Sequence, residues 1–135
     1  MKGTQTEIGL KELFMANSED HLLLLFSSQK LEEVNKKEES EKIREKALVE
    51  LGHARGILEK MIKYLGLEYI TNWFEELNKK ESEQLKEKFM LTATVYMLSK
   101  LLAEKLPERK NELETKSKEK YEEAKKLYER ILYTS

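Results

Sequence analysis

The sequence predicts an all-α protein, a helical bundle of three long helices plus a short aromatic helix and an N-terminal helical arm. Three observations carry that expectation. Asp20 is the only aspartate among 26 acidic residues, and Glu suits helix interiors whereas Asp leaves them for caps and turns. Proline occurs once and glycine five times in 135 residues, so helix breakers are few. Apolar residues recur at spacings of three and four, with no strand-like alternation.

The first segment places Ile8, Leu10, Leu13 and Phe14 toward a core, with Gly9 weakening the helix. Asn17-Ser18-Glu19-Asp20 reads as a break and restart, a capping side chain with acids in the first turn that follows. Leu22, Leu23, Leu24, Leu25 and Phe26 then run without interruption. Such a run has no polar face, so it is buried all round or covered by another chain. Asn35 to Lys42 holds no apolar residue and reads as a loop or an exposed helical extension. Residues 1–42 are therefore expected to form an N-terminal arm and polar connection, and residues 43–135 the main bundle, within a single domain.

In that bundle Ile43, Ala47, Leu51, Ala54, Leu58, Met61 and Leu65 alternate in steps of four and three, widened by Leu48 and Ile62 into a core-facing stripe. Gly66 is expected to end this helix. A short helix follows with Tyr69, Ile70, Trp73, Phe74 and Leu77 on one face. Asn78-Lys79-Lys80-Glu81 has the form of a capping box for the next helix, whose apolar content from Leu85 to Leu106 assigns it to the centre. Pro107 stops it and suits the first turn of the last helix. That last helix carries Leu113, Tyr121, Ala124, Leu127, Tyr128, Ile131 and Leu132, but nothing apolar from Glu114 to Lys120, so its first half is expected to project.

The bulk numbers bound the function. Net charge is −1, and the basic stretch Lys116, Lys118, Lys120, Lys125 and Lys126 is interleaved with glutamates, so no basic face for duplex nucleic acid is expected. Absence of cysteine excludes disulfides, a thiolate nucleophile and Cys-based metal sites. Phe89 to Ala103 carries one charge, Lys100, but is shorter than the ~20 residues of a membrane span. The N-terminus, Met1 to Glu7, lacks the apolar region of a signal peptide. A soluble protein of the cytoplasm or of a virion is expected. The 38% charged residues, almost all Glu and Lys, match proteins from hot environments, and long exposed helices give the same composition.

No catalytic, cofactor or metal site emerges. Glu50-x-x-His53 has the spacing of di-iron bundles, but a second such motif is missing, since Ser18 stands three before His21. No serine lies in a Gly-x-Ser-x-Gly elbow, and no glycine run could cradle a phosphate. Gly52 and Gly56 are expected to let this helix approach Thr92-Ala93-Thr94 closely, so that Gly56→Leu would overpack. Interface candidates are Leu22, Leu23, Leu24, Leu25 and Phe26, with Trp73 and Phe74 either an interface anchor or core.

Read in order, three stretches resemble the small helical head–tail connector (head-completion adaptor) proteins of tailed viruses. They are Ile8–Leu13 leading to Leu22–Phe26, the small-residue helix Ala47 to Leu65, and the pair Leu85–Leu106 with Tyr121-x-x-Ala124…Tyr128…Ile131. The segment after Leu65 departs from the family in lacking a Pro-rich loop. The resemblance implies a structural, non-enzymatic subunit without cofactors. It would form a homo-oligomeric ring between portal and tail, with Leu22–Phe26 in the subunit contact and the two polar stretches in ring and portal contacts. The alternative from the residues themselves is a homodimeric four-helix-bundle interaction module, because the over-hydrophobic central helix needs cover on several sides.

Overall fold

The computed structural model describes residues 5–134; Met1 to Thr4, the start of the segment expected to lack a signal peptide's apolar region, lie outside them. The bundle is all-α: α1 (Gln5–Glu33), α2 (Lys37–Leu65), α3 (Leu67–Lys79), α4 (Leu85–Lys105) and α5 (Lys110–Thr134), with a single 3-10 turn at Pro107–Arg109 before α5. Among the described residues no helix is long and apolar enough to cross a membrane. Two antiparallel hairpins, α1–α2 and α4–α5, pack through α1 against α4. The short α3 bridges α2 and α4 along the side of the bundle.

The expected break at Asn17–Asp20 is absent, and α1 is one helix of 29 residues. Ser18 does not cap anything. Its hydroxyl donates back to the Phe14 carbonyl at 2.8 Å, and Asn17, Ser18 and His21 are buried. Burial over a long stripe outweighs the weak capping preference of two residues. The arm is therefore a full member of the bundle, and within the Leu22–Phe26 run Leu22 and Phe26 are enclosed because α2, α4 and α5 all flank α1, while Leu23, Leu24 and Leu25 stay half-buried. Phe14 is buried and Leu10 partly so, whereas Ile8 and Leu13 face outward, contrary to expectation.

The connection to α2 is only Val34 to Lys36. Asn35 has φ 62°, the left-handed conformation that Asn tolerates better than most residues. Its N–H donates to the Glu32 carbonyl at 3.0 Å, and the Lys36 N–H to the Leu31 carbonyl at 2.9 Å. Those two bonds form a Schellman motif that satisfies the last carbonyls of α1. Most of the apolar-free Asn35–Lys42 stretch is the first turn and a half of α2, held by the buried Ser40.

α2 buries Ala47, Ala54, Leu58, Met61 and Leu65, as its stripe predicts, but Leu48, at the stripe's edge, is exposed. Gly66 ends α2 at φ 95°, a conformation open to glycine and strained for other residues. α3 buries Ile70, Trp73, Phe74 and Leu77. It continues through Asn78 to Lys79, so the expected capping box does not cap α4; instead the Ser82 hydroxyl accepts from the Gln84 N–H at 3.2 Å.

α4 is the centre. Every residue from Leu91 to Ser99 is buried. Pro107 occupies the first turn after it, where its missing N–H is harmless. α5 does not project: Leu113 and Ser117 are buried one turn apart, then Ala124, Leu127 and Tyr128. Serine at position 117 fills a contact that the apolar pattern leaves blank.

Gly52 and Gly56 make no close helix contact. Both are exposed, and a Cβ at either would meet nothing within 4 Å. The expected overpacking by Gly56→Leu against Thr92-Ala93-Thr94 is overturned. Glycine in a helix interior costs about 0.5–1 kcal/mol relative to alanine, so in dilute solution Gly56→Ala should raise unfolding free energy by about that amount. A lower urea midpoint for the variant would contradict this geometry.

Candidate interaction surfaces

The polar groups inside the bundle are committed to holding it together. His21, on α1, donates from Nδ1 to the Ala47 carbonyl of α2 at 2.6 Å. Its ring stacks on Tyr96 of α4 with centroids 6.2 Å apart. Two turns further along, Ser28 and Ser40 are paired reciprocally. Each hydroxyl donates to the other residue's carbonyl, at 2.9 and 2.8 Å. Small side chains there bring the two backbones together, and the bonds fix the register of α1 on α2. Burial holds the His21 pKa below its ordinary value, against the Ala47 hydrogen bond that favours the charged ring. Burial, with Tyr121 nearby, pushes the Tyr96 hydroxyl up to about 12.

At the end of the bundle where α1 begins, Glu7 is buried at 6% exposure. Its carboxylate accepts from the Tyr69 hydroxyl, and Tyr69 in turn accepts from Lys11 Nζ at 2.6 Å. The Lys11 ammonium lies over the rings of Tyr69 and Trp73, 4.8 and 5.4 Å from their centroids. This cluster ties α1 to α3, and each charge in it is offset by its neighbours. Among the described residues no buried side-chain nitrogen or oxygen lacks a hydrogen-bond partner, and no three potential ligands gather as a metal site. The Glu50–His53 pair is an exposed contact at 3.2 Å.

Concavities open at several places on the described residues, two of them beside the α3–α4 connection and on the α1–α2 hairpin. The larger, about 710 Å³, opens between the α3–α4 connection, α4 and α5. Its floor includes Leu77, Leu91 and Val95, and its rim carries Lys80, Lys88, Lys120 and Arg130 among Glu81, Glu83 and Glu123. Lys120 is already paired with Glu123 at 3.1 Å. With both signs around an open mouth, the groove has neither a focused charge nor a convergent set of donors. The smaller lies on the α1–α2 hairpin over Leu23, Leu24 and Val49, bordered by Asp20, Lys46 and Glu50. Burial, then the Glu50 charge, raises the Asp20 pKa; burial, then the Asp20 charge, raises that of Glu19.

The residues expected at an interface divide between core and surface. Leu22, Phe26, Trp73 and Phe74 lie in the chain's own core, and Leu23, Leu24 and Leu25 are half-buried. Phe26 meets Tyr121, Tyr128 and Phe89 with ring centroids 5.3, 5.4 and 6.5 Å away, and Trp73 stands edge-on to Phe14 at 6.0 Å. The exposed apolar side chains are others, among them Ile8 and Leu13 on α1 and Tyr64 on α2. Leu48 and Val49, each 54% exposed, lie on α2, and Val34, Leu132 and Tyr133 lie where α1 and α5 end. Val49 carried a readable signal, since it falls outside the α2 stripe; Leu48 did not, because it sits at the stripe's edge. Set against protein-family models, curated proteins and solved structures, the chain matches none of them.

Two measurements test this geometry. Phe26→Ala should lower unfolding free energy by about 3–5 kcal/mol in urea titration; a loss below about 1 kcal/mol would mean the ring is not enclosed. His21 gives a pH signature. Its folded pKa is lowered from 6.5, so as pH falls the unfolded chain takes up the proton first. Stability is then full above about pH 6.5 and declines below it. Glu19 and Asp20, with raised folded pKa values, act in the opposite sense at lower pH. Both acids persist in His21→Gln, so the variant should lose less melting temperature between pH 7.5 and 5 than the parent chain. Parallel curves would remove His21 from the account.

Proposed function

We propose that this protein is a non-catalytic assembly module, a helical bundle that works through contacts with protein surfaces, copies of itself first among them. One observation carries the reading: Leu48 and Val49 are exposed together on the outside of α2, beside the Leu23–Leu24 groove. Apolar area grouped on one face gains about 25 cal/mol per Å² when a partner removes it from water. The interior supports the same reading, because His21, Ser28, Ser40 and Glu7 are each engaged in joining one helix to another.

The head–tail connector subunit is the second reading. It is supported by the second apolar group, Val34, Leu132 and Tyr133, at the end where Lys30 of α1 meets Glu129 of α5 at 2.6 Å. A closed ring needs two unlike patches on each subunit, whereas a two-fold dimer uses one patch twice. Portal and tail proteins are the partners in this reading.

Absolute mass by light scattering over a wide concentration range, with electron micrographs of any large species, separates the two. A closed dimer is expected for the module and a ring of many copies for the connector. A chain that stays monomeric throughout its soluble range would overturn self-assembly in both.

A further inference from the structure

We propose that the outer face of α2 pairs with the same face of a second copy, antiparallel, about a two-fold axis passing beside Gly52 and His53. This rests on the self-assembly reading and assigns its surface and geometry. α2 has 29 residues, so it extends about 44 Å at 1.5 Å per residue. One side of it enters the core. The outer side presents exposed Leu48 and Val49, followed by the bare backbone of Gly52 and Gly56. Residues three and four apart share a helix face, so these four positions form one strip.

Charge selects the occupant. Glu45 precedes the strip and Lys60 follows it, both exposed, and among the described residues neither is in an ion pair. A two-fold axis between positions 52 and 53 brings Glu45 of each copy to Lys60 of the other. The same operation lays Val49 of each copy over Gly56 of its mate, where the absent side chain leaves room. A parallel pairing would set Glu45 on Glu45 and Lys60 on Lys60. Helices meeting over small residues approach to the short end of the usual 8–10 Å range. Each contact occurs twice in such an isologous pair. Apolar contact at the centre supplies affinity, and the flanking charges set direction and register.

Sedimentation velocity on the full chain and its variants tests this. Glu45→Lys should raise the dimer dissociation constant about tenfold, through two lost pairs and new repulsion. Adding Lys60→Glu to the same chain reverses both charges and should restore dimerisation. Gly56→Leu should abolish the dimer while helical content and monomer melting temperature hold, since the space beyond Gly56 is open. Because the chain has no cysteine, a single cysteine placed by His53→Cys reports the axis: it should cross-link the dimer on mild oxidation, whereas Lys42→Cys should not. An oligomer indifferent to Glu45→Lys and Gly56→Leu would overturn this surface and leave self-assembly standing. Cross-linking through Lys42→Cys, with or without His53→Cys, would overturn the antiparallel arrangement. A monomer at every concentration would overturn both.

Discussion

The nine consecutive buried residues from Leu91 to Ser99 on α4 set the terms for every other helix. A helix apolar on one stripe needs one neighbour; a helix buried around its whole circumference must be enclosed. α5 covers one side and α3 touches another, which leaves a flank that only α1 can close. That demand explains why α1 runs unbroken through Asn17 and Ser18. Even the polar residues of α4 conform: Thr94 and Ser99 turn their hydroxyls back to the Met90 and Val95 carbonyls, each at 2.8 Å. Their buried polar atoms are satisfied within the helix, so they need no partner on a neighbour.

Enclosure alone does not fix how far one helix slides along another, because leucine contacts are much alike from turn to turn. In the α1–α2 hairpin the register is set by polar groups. Moving α1 by one turn would separate His21 from the Ala47 carbonyl and Ser28 from Ser40, leaving buried donors and acceptors without partners. Each unmet group costs about 1–3 kcal/mol, more than a slid apolar contact regains. The surface ion pairs Arg55–Glu104 and Lys105–Glu59, at 2.7 and 2.6 Å, join α2 to α4 at exposed positions, where such pairs contribute little.

Much of this was legible where one residue type has one physical meaning. The α2 stripe from Ala47 to Leu65, the aromatic face of α3, the central place of α4, and the stops at Gly66 and Pro107 all follow from periodicity or backbone constraint. Legibility failed where a residue has two uses. Asn17 and Ser18 have the chemistry of caps, and burial turned them into helix interior. Asn35 belongs by composition to a polar stretch, whereas its left-handed conformation makes it the turn itself. Ser117 is polar by composition and core by position. Leu22 and Phe26 are interface candidates only for an arm; in a core helix both belong to the buried side of α1.

Gly52 and Gly56, like Gly9 on α1, sit where the fold of a single chain does not require glycine. Gly66 earns its identity from a positive φ, but Gly52 and Gly56 sit inside a helix with open space where a side chain would begin. Alanine at either position would fit the fold and strengthen the helix. Close approach to a neighbour is the usual physical reason for glycine in a helix, and among the described residues nothing comes within 4 Å of a Cβ at either position. Exposed Leu48 and Val49 lie on the same side of α2, and both anomalies have one physical cause if another helix packs there. The asymmetry of charge along the face, acidic Glu45 before the strip and basic Lys60 after it, makes an antiparallel copy of α2 a better match than a parallel one. A foreign helix would meet the same two glycines, but it would have to bring the opposite charge order by its own sequence, which a second copy of α2 supplies through symmetry alone.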